Sequence, residues 1–351
     1  MFEDFDLFHE NIISIRIDVS PMSEDPLTSY IKNGSERCQL ALTDRSYRTK
    51  HQRESKDNAM VQINFELGTL GDAVLRLALT QILYHEGREK LIEERARYES
   101  DRVLVERVAP YYRLRDVLRY DDTNKDKMHG YDYFEYSGDG DHPQKFLATA
   151  MEALLGAYFL DHRESISEVI PIVRNWMSVI DKDYVCIDTE RSTGGDDRSL
   201  PIEERKCSII EIAAIKVVDG RPEEKYWDVQ LIPGRCFDSY ALDVLHRDPD
   251  RYAKGKDPET ALAELIKFVG HLPVLGCDFV DKDLYYINEH LECFKHDKWK
   301  PDVIELQNRC GKTKLEYMCQ RFGISFIQTH SAIDDARVTV ECFESLNSKD
   351  V

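Results

Sequence analysis

Along this chain of 351 residues the spacing of apolar positions changes character near residue 183. Before that point the recurring period is helical. Over 64–79 the apolar residues return every three or four positions, but around nearly the whole circumference. That pattern predicts a helix buried on several sides. Gly68 and Gly71 lie inside it. Each costs about 1 kcal/mol relative to alanine in a helix, so they signal another backbone packed very close, as oligomer interfaces need. Residues 39–47 read as the end of a helix, followed by a polar loop over 48–58. Over 86–119 a helical stretch interleaves Arg88, Arg95, Arg97, Arg102, Arg107, Arg113, Arg115 and Arg119 with glutamates and aspartates. Opposite charges at this spacing predict solvated faces laced with weak ion pairs, with RNA contact open to some of the arginines. Residues 121–143, rich in Asp, Gly and Tyr without a period, read as an exposed loop. Residues 1–36 are mixed and turn-rich, and 171–180 read as a last helix or linker, with the boundary at 181–183.

Beyond that boundary short apolar runs alternate with helical segments. The run 184–190 predicts a buried strand ending in Asp188 and Glu190, with one residue between them. Strand side chains alternate faces, so the two carboxylates point the same way and repel unless a cation neutralises them. They form a candidate divalent-metal site. Strands are expected over 208–218 and 225–232, with Asp219-Gly220 as a turn signal. A helix over 257–270 carries Leu262, Leu265, Ile266 and Val269 on one face, and 273–281 reads as a strand feeding a helix. A further helix over 315–324 ends at Gly323. The last helix begins near Ser331, which or whose neighbour caps it, and buries Ala336, Val340 and Phe343. That places Asp335 in its first turn and His330 on the loop before it. The chain therefore divides into a helical domain, 1–180, and an α/β domain, 181–351.

Composition narrows the partners. The net charge is −19 and is not segregated: 23 basic against 32 acidic residues in 1–180, and 24 against 34 in 181–351. The broad positive field of tight non-specific nucleic-acid binders is missing. A nucleic-acid enzyme of this charge relies on local basic spots and metal ions. Nine cysteines are scattered with no Cys-x-x-Cys pair, several inside apolar segments (Cys186, Cys277, Cys342). They predict buried free thiols in a reducing compartment. The N-terminus has no basic region before a long apolar run, and no stretch could span a bilayer, so the expected place is the cytoplasm, with no membrane partner.

Two family resemblances organise these observations. The stretch from Asn64 to Leu75 resembles the ribonuclease III signature, N-x-x-L-E-F-L-G-D-[AS]-V-L. Residues 41–47 resemble the A-[FL]-T-H-R-S-Y that precedes it, and 145–157 resemble the family's second acidic helix. The family places acid pairs four apart on one helix and three apart on the other. Here the first acid position of each pair is Gly68 and Thr149, with Asp72 and Glu152 kept. Two carboxylates and a hydroxyl hold Mg²⁺ far more weakly than four carboxylates. The resemblance thus implies an all-α domain degenerate as an endonuclease, Asp72 and Glu152 serving as buried hydrogen-bonding groups, and a homodimer seamed along the signature helix. No double-stranded-RNA-binding domain follows it.

The Asp188-x-Glu190 strand and His330-x-Ala332-x-x-Asp335 resemble the first and last motifs of the DEDDh 3′→5′ exonucleases. Residues 276–284 resemble the second motif divergently, with Asp281 at the acid position and Asp278 and Asp283 near enough to be alternatives. Asp281 also suits a helix N-cap, a role compatible with the acid one. The resemblance implies a ribonuclease H-like α/β fold and hydrolysis with two Mg²⁺ or Mn²⁺ ions, which activate water, neutralise the phosphate and stabilise the leaving 3′-oxygen. By the same resemblance Asp188 bridges both ions, Glu190 and Asp335 complete one, Asp281 supports the other through water, and His330 is the general base. Products would be 5′-nucleoside monophosphates released from a 3′ end. RNA is the expected substrate, by association with the ribonuclease III-like half. A DNA substrate, residual endonuclease activity from Asp72 and Glu152, and a non-catalytic RNA-binding scaffold are the alternatives.

Overall fold

The computed structural model describes residues 25–54, 62–121, 144–195, 197–311, 314–327 and 329–349. The loop expected over 121–143 lies outside these residues except for Asp121, as do 1–24 and 55–61. The helical domain contains α1 (Pro26–Asn33), α2 (Glu36–Ala41), α3 (Arg45–Glu54), α4 (Phe65–His85), α5 (Leu91–Glu99), a kinked run over 101–111, α6 (Lys145–Asp161) and α7 (Ile166–Asp181). Local chemistry sets the first boundaries. The Asp25 side chain accepts from the Thr28 amide at 3.0 Å, a proline opens the helix, and Gly34 closes it in the left-handed conformation. A helix over Arg45–Glu54 replaces much of the expected polar loop, because Arg, Lys, Gln and Glu are good helix formers and polarity alone marks only exposure.

The core of this domain is the crossing of α4 and α6. Leu75, Leu79, Leu83, Leu147, Met151 and Leu154 are buried there, with Trp176 of α7 closing one side. The two helix backbones nearly touch. A Cβ on Gly71 would stand 1.7 Å from the Glu152 carbonyl oxygen, and one on Gly156 2.5 Å from that of Leu67. The close backbone that the glycines announced is therefore α6 of the same chain, which corrects the expectation that they face a second subunit.

In the second domain β1 (Tyr184–Arg191), β2 (Ile209–Val218) and β3 (Arg221–Asp228) form an antiparallel meander. Asp219 and Gly220, both with positive φ (51° and 70°), make the two-residue turn between β2 and β3 that suits the right-handed twist of paired strands. β4 (Val274–Gly276) and β5 (Val303–Glu305) add in parallel, giving the order β3-β2-β1-β4-β5. β3 starts four residues earlier than the apolar pattern suggested. It is an exposed edge strand, and Pro222, Glu223, Glu224 and Lys225 block further strand pairing there.

Helices α8 (Pro258–Val269) and α9 (Asp283–Cys293) cover one face of the sheet. Three helices serve the other face: α10 (Leu306–Cys310), α11 (Leu315–Phe322) and α12 (Ala332–Lys349). Among the described residues no helix is long and apolar enough to cross a membrane.

The two domains meet through a buried ionic seam. Asp181, at the end of α7, receives Arg97 at 2.5 Å, the Tyr98 hydroxyl at 2.7 Å and Arg309 of α10 at 2.7 Å. The Glu89 amide donates to the Asn308 carbonyl at 2.9 Å. Burial opposes the charge on Asp181, but Arg309 and Arg97 hold its carboxyl well below the usual range. The arginines of 86–119 are thus of two kinds. Arg102 and Arg113 sit in solvated pairs as expected. Arg88 and Arg97 are instead buried, because the second domain covers the face that would otherwise be solvated.

Candidate active site

Strand parity builds the site. On β1, Val185 and Ile187 join the core beneath α8 and α9, while Tyr184 and Cys186 join the core beneath α12. Continuing that alternation sends Asp188 and Glu190 towards α12 and Thr189 towards α9. Asp335, in the first turn of α12, meets the pair from above. One oxygen each from Asp188, Glu190 and Asp335 lies within 4.8 Å of the others. They line a cavity of about 480 Å³ together with Thr193, Tyr240, Asp283, Lys314 and His330. A slightly larger cavity, about 560 Å³, opens beside Tyr285 on the outer face of α9 without such a cluster, so volume does not single out the chemistry.

Burial and mutual repulsion oppose ionisation of these carboxylates. Burial, then the neighbouring Asp283, Glu190 and Asp335, pushes the Asp188 carboxyl well above its ordinary value. Burial raises Glu190 to about 8 against the opposing pull of Arg247. Burial and Asp334 raise Asp335 to about 6. The Oδ1 of Asp335 is buried with no hydrogen-bond partner. His330 is half-buried, and burial together with Arg247 lowers its pKa.

Asp281 is not brought to this cluster. It is exposed on the turn before α9, and its carbonyl accepts from Arg198 at 2.9 Å. Nor does it cap the helix, where Lys282 occupies the N-cap position without a side-chain bond. Asp283 lines the cavity instead. It is 6% exposed, and its Oδ1 accepts from the Thr189 amide at 2.9 Å and the Thr189 hydroxyl at 2.6 Å. Burial raises it to about 6, with the Thr189 bonds opposing. A signal was available: Asp283 shares helical spacing with Tyr286, Ile287, His290 and Leu291, the buried face of α9, whereas Asp281 precedes the helix.

Three further carboxylates and guanidinium groups escaped the motifs. Glu305, at the end of β5, accepts from the Asp278 amide at 2.6 Å and the Val280 amide at 3.3 Å, fixing the loop after β4. Glu211 of β2 is 1% exposed and accepts from the Ala332 amide at 3.2 Å, so this carboxylate, rather than the Ser331 side chain, meets the start of α12. Arg247 pairs with Glu211 and with Glu190, each at 2.8 Å.

The second acid set is arranged differently. Asp72 is paired along its own helix with Arg76 at 3.2 Å. Glu152 is raised to about 7 by burial, Asp72 and Asp101. A Cβ on Gly68 would lie 3.0 Å from the Thr149 methyl, so the two substituted acid positions pack against one another. Among the described residues these positions form no three-ligand cluster.

Residues 66–163 match the family model of the Ribonuclease III domain, and 185–343 match that of the Exonuclease family. The chain thus carries a stretch that matches a ribonuclease III domain followed by one that matches an exonuclease domain. No curated protein matches it. Among solved structures it is similar to E. coli exonuclease I in complex with a dA16 oligonucleotide, at 14% identity and a TM-score of 0.40. That match covers 48% of this chain and 41% of exonuclease I, less than half of the latter. It is also similar to a 3′-exonuclease described in 3′-end-specific recognition of a histone mRNA stem-loop (14% identity, TM-score 0.38, covering 48% and 82%). A third similar structure is the cell-death related nuclease CRN-4 (8% identity, TM-score 0.35, covering 48% and 65%).

The exonuclease domain's donor set suits a hard divalent cation. The oxygens are all carboxylate, they converge in one half-buried place, and Asp335 Oδ1 lacks any other partner.

Proposed function

We propose that the chain is a 3′→5′ exonuclease that trims RNA ends, releasing 5′-nucleoside monophosphates. The observation that carries this reading is the convergence of Asp188, Glu190 and Asp335 in a cavity also lined by His330. Two Mg²⁺ or Mn²⁺ ions held by Asp188, Glu190, Asp335 and Asp283 would supply an activated water and charge relief on the phosphate. Asp283 takes the role expected of Asp281. Its bond to Thr189 also fixes the backbone between the two acids of β1. His330, kept neutral by burial and Arg247, accepts the proton of the attacking water. The ribonuclease III domain is degenerate, since Gly68 and Thr149 close over the missing acids. It serves to dimerise and to hold structured RNA, and this association is what favours RNA over DNA. The nine unbonded cysteines fit a reducing, cytoplasmic location.

End-labelled RNA and DNA, single- and double-stranded, test the reading with Mg²⁺, Mn²⁺ or EDTA. The parent chain shortens RNA from its 3′ end only with metal. Asp188→Asn and Asp283→Asn each reduce the rate by about 10³ or more, on the scale of losing a transition-state charge stabiliser. Asp281→Asn stays within about threefold of the parent. Parent-like trimming by Asp188→Asn rejects the site, preference for DNA rejects the substrate, and internal cuts abolished by Asp72→Ala establish a second nuclease centre. For the dimer, Phe65, Leu77 and Tyr84 are large apolar residues left exposed on α4. Light scattering should report about twice 40.9 kDa.

A further inference from the structure

Arg247 and Glu211 belong to none of the motifs, yet between them they touch Glu190 on β1, the His330 backbone and the start of α12. Arg247 follows His246, a non-glycine residue in the left-handed region at φ 52°, and its side chain is 7% exposed. From there one guanidinium nitrogen reaches Glu190 at 2.8 Å and the backbone carbonyl of His330 at 2.6 Å. The other reaches Glu211 at 2.8 Å. Glu211 in turn accepts from the Ala332 amide and from the Tyr252 hydroxyl at 2.6 Å.

The two backbone groups so held, the His330 carbonyl and the Ala332 amide, flank Ser331 on both sides. His330 itself is in the left-handed region at φ 53°, a conformation that a non-glycine residue keeps only when its surroundings enforce it. Asp335 begins one turn later, its amide bonded to the Ser331 carbonyl at 3.0 Å. A coil that carries a proton acceptor would otherwise be free to swing.

We propose that the Arg247–Glu211 pair is a positioning brace, which fixes His330 and the first turn of α12 against Glu190. This rests on the reading of His330 as general base. Neither residue touches the reacting atoms. Their effect runs through the placement of the imidazole, and misplacement by about 1 Å can cost roughly 10² in rate. A guanidinium suits the task because its fixed planar fork addresses two carboxylates and a carbonyl at once, which an ammonium group does not.

The test is a double-mutant cycle on the full chain with Mg²⁺ and a 5′-labelled single-stranded RNA. Arg247→Met is made in the parent and in the His330→Ala background, and kcat and KM are measured separately. In the parent background the variant should lower kcat about 30- to 100-fold, with KM changed less than about threefold. Arg247→Lys should recover part of the loss. In the His330→Ala background Arg247→Met should cost no more than about tenfold, because the imidazole it positions is gone and only its hold on Glu190 remains to be lost. Equal losses in both backgrounds, or parent-like kcat for Arg247→Met, overturn the brace. If His330→Ala alone is fully active, the general-base reading fails, and the brace with it. Should thermal melting show Arg247→Met unfolded, Glu211→Gln enters the same cycle with the same criteria, since it keeps an acceptor for Ala332 while losing the ion pair.

Discussion

Four carboxylates that resist ionisation share one place in the exonuclease domain, and this has a consequence for stability as well as chemistry. Glu190 is raised to about 8, and Asp283 and Asp335 to about 6, each by burial first. In the unfolded chain these groups titrate near 4, so between about pH 4 and pH 8 the folded state binds more protons than the unfolded one. Stability of the metal-free protein therefore falls as pH rises through that window, the reverse of the usual salt-bridged aspartate. Differential scanning calorimetry in EDTA should give a melting temperature at pH 8 lower than at pH 5.5, by at least about 3 °C, equivalent to roughly 1 kcal/mol. Mg²⁺ binds the ionised forms and should reverse the order, raising the melting temperature most at pH 8. An EDTA sample that is more stable at pH 8 contradicts the cluster as described.

Between elements the decisive contact is α4 against α6. With the Gly71 Cβ position 1.7 Å from a backbone oxygen, even alanine forces the helices apart. Gly71→Ala should destabilise the helical domain by about 3 kcal/mol or more, read as a shift in the urea midpoint. Gly68→Ala, which meets the Thr149 methyl at 3.0 Å and its carbonyl oxygen at 3.4 Å, should cost less. Splitting of a dimer without loss of domain stability in Gly71→Ala would return the glycine to the subunit seam. The same crossing explains how the acid positions at Gly68 and Thr149 can be lost without leaving a hole: the small side chains fill the space between the helices themselves.

Across the domain boundary, Asp181 holds two arginines and a tyrosine that belong to both halves. Removing it leaves Arg97 and Arg309 buried without their shared counter-ion. Asp181→Ala should destabilise by about 3–5 kcal/mol and split a single unfolding transition into two, followed by denaturant titration with tryptophan fluorescence. Trp176 reports the helical domain, Trp227 and Trp299 the other. The seam lies close to the site: Glu305, which fixes the loop after β4, immediately precedes α10 with its Asn308 and Arg309. The orientation of the ribonuclease III domain is thus tied to the sheet end that presents the acids.

Much of this was readable from local order. The alternation of β1 that pairs Asp188 with Glu190, the helical spacing over 64–79 and the Asp219-Gly220 turn follow from local order, which depends on near neighbours alone, whereas the meeting of that pair with Asp335 and His330 was implied only by the resemblance of their motifs. Other features needed the fold. Asp283 lines the cavity and Asp281 does not, because a helix start one residue later decides which carboxylate turns inward. Arg88 and Arg97 look solvated until a second domain covers them. Glu211 and Arg247, 36 residues apart, are ordinary charges in the chain. They become a brace only where β2, the loop after Ser239 and the start of α12 converge, and that convergence is fixed by burial of apolar faces far from either residue.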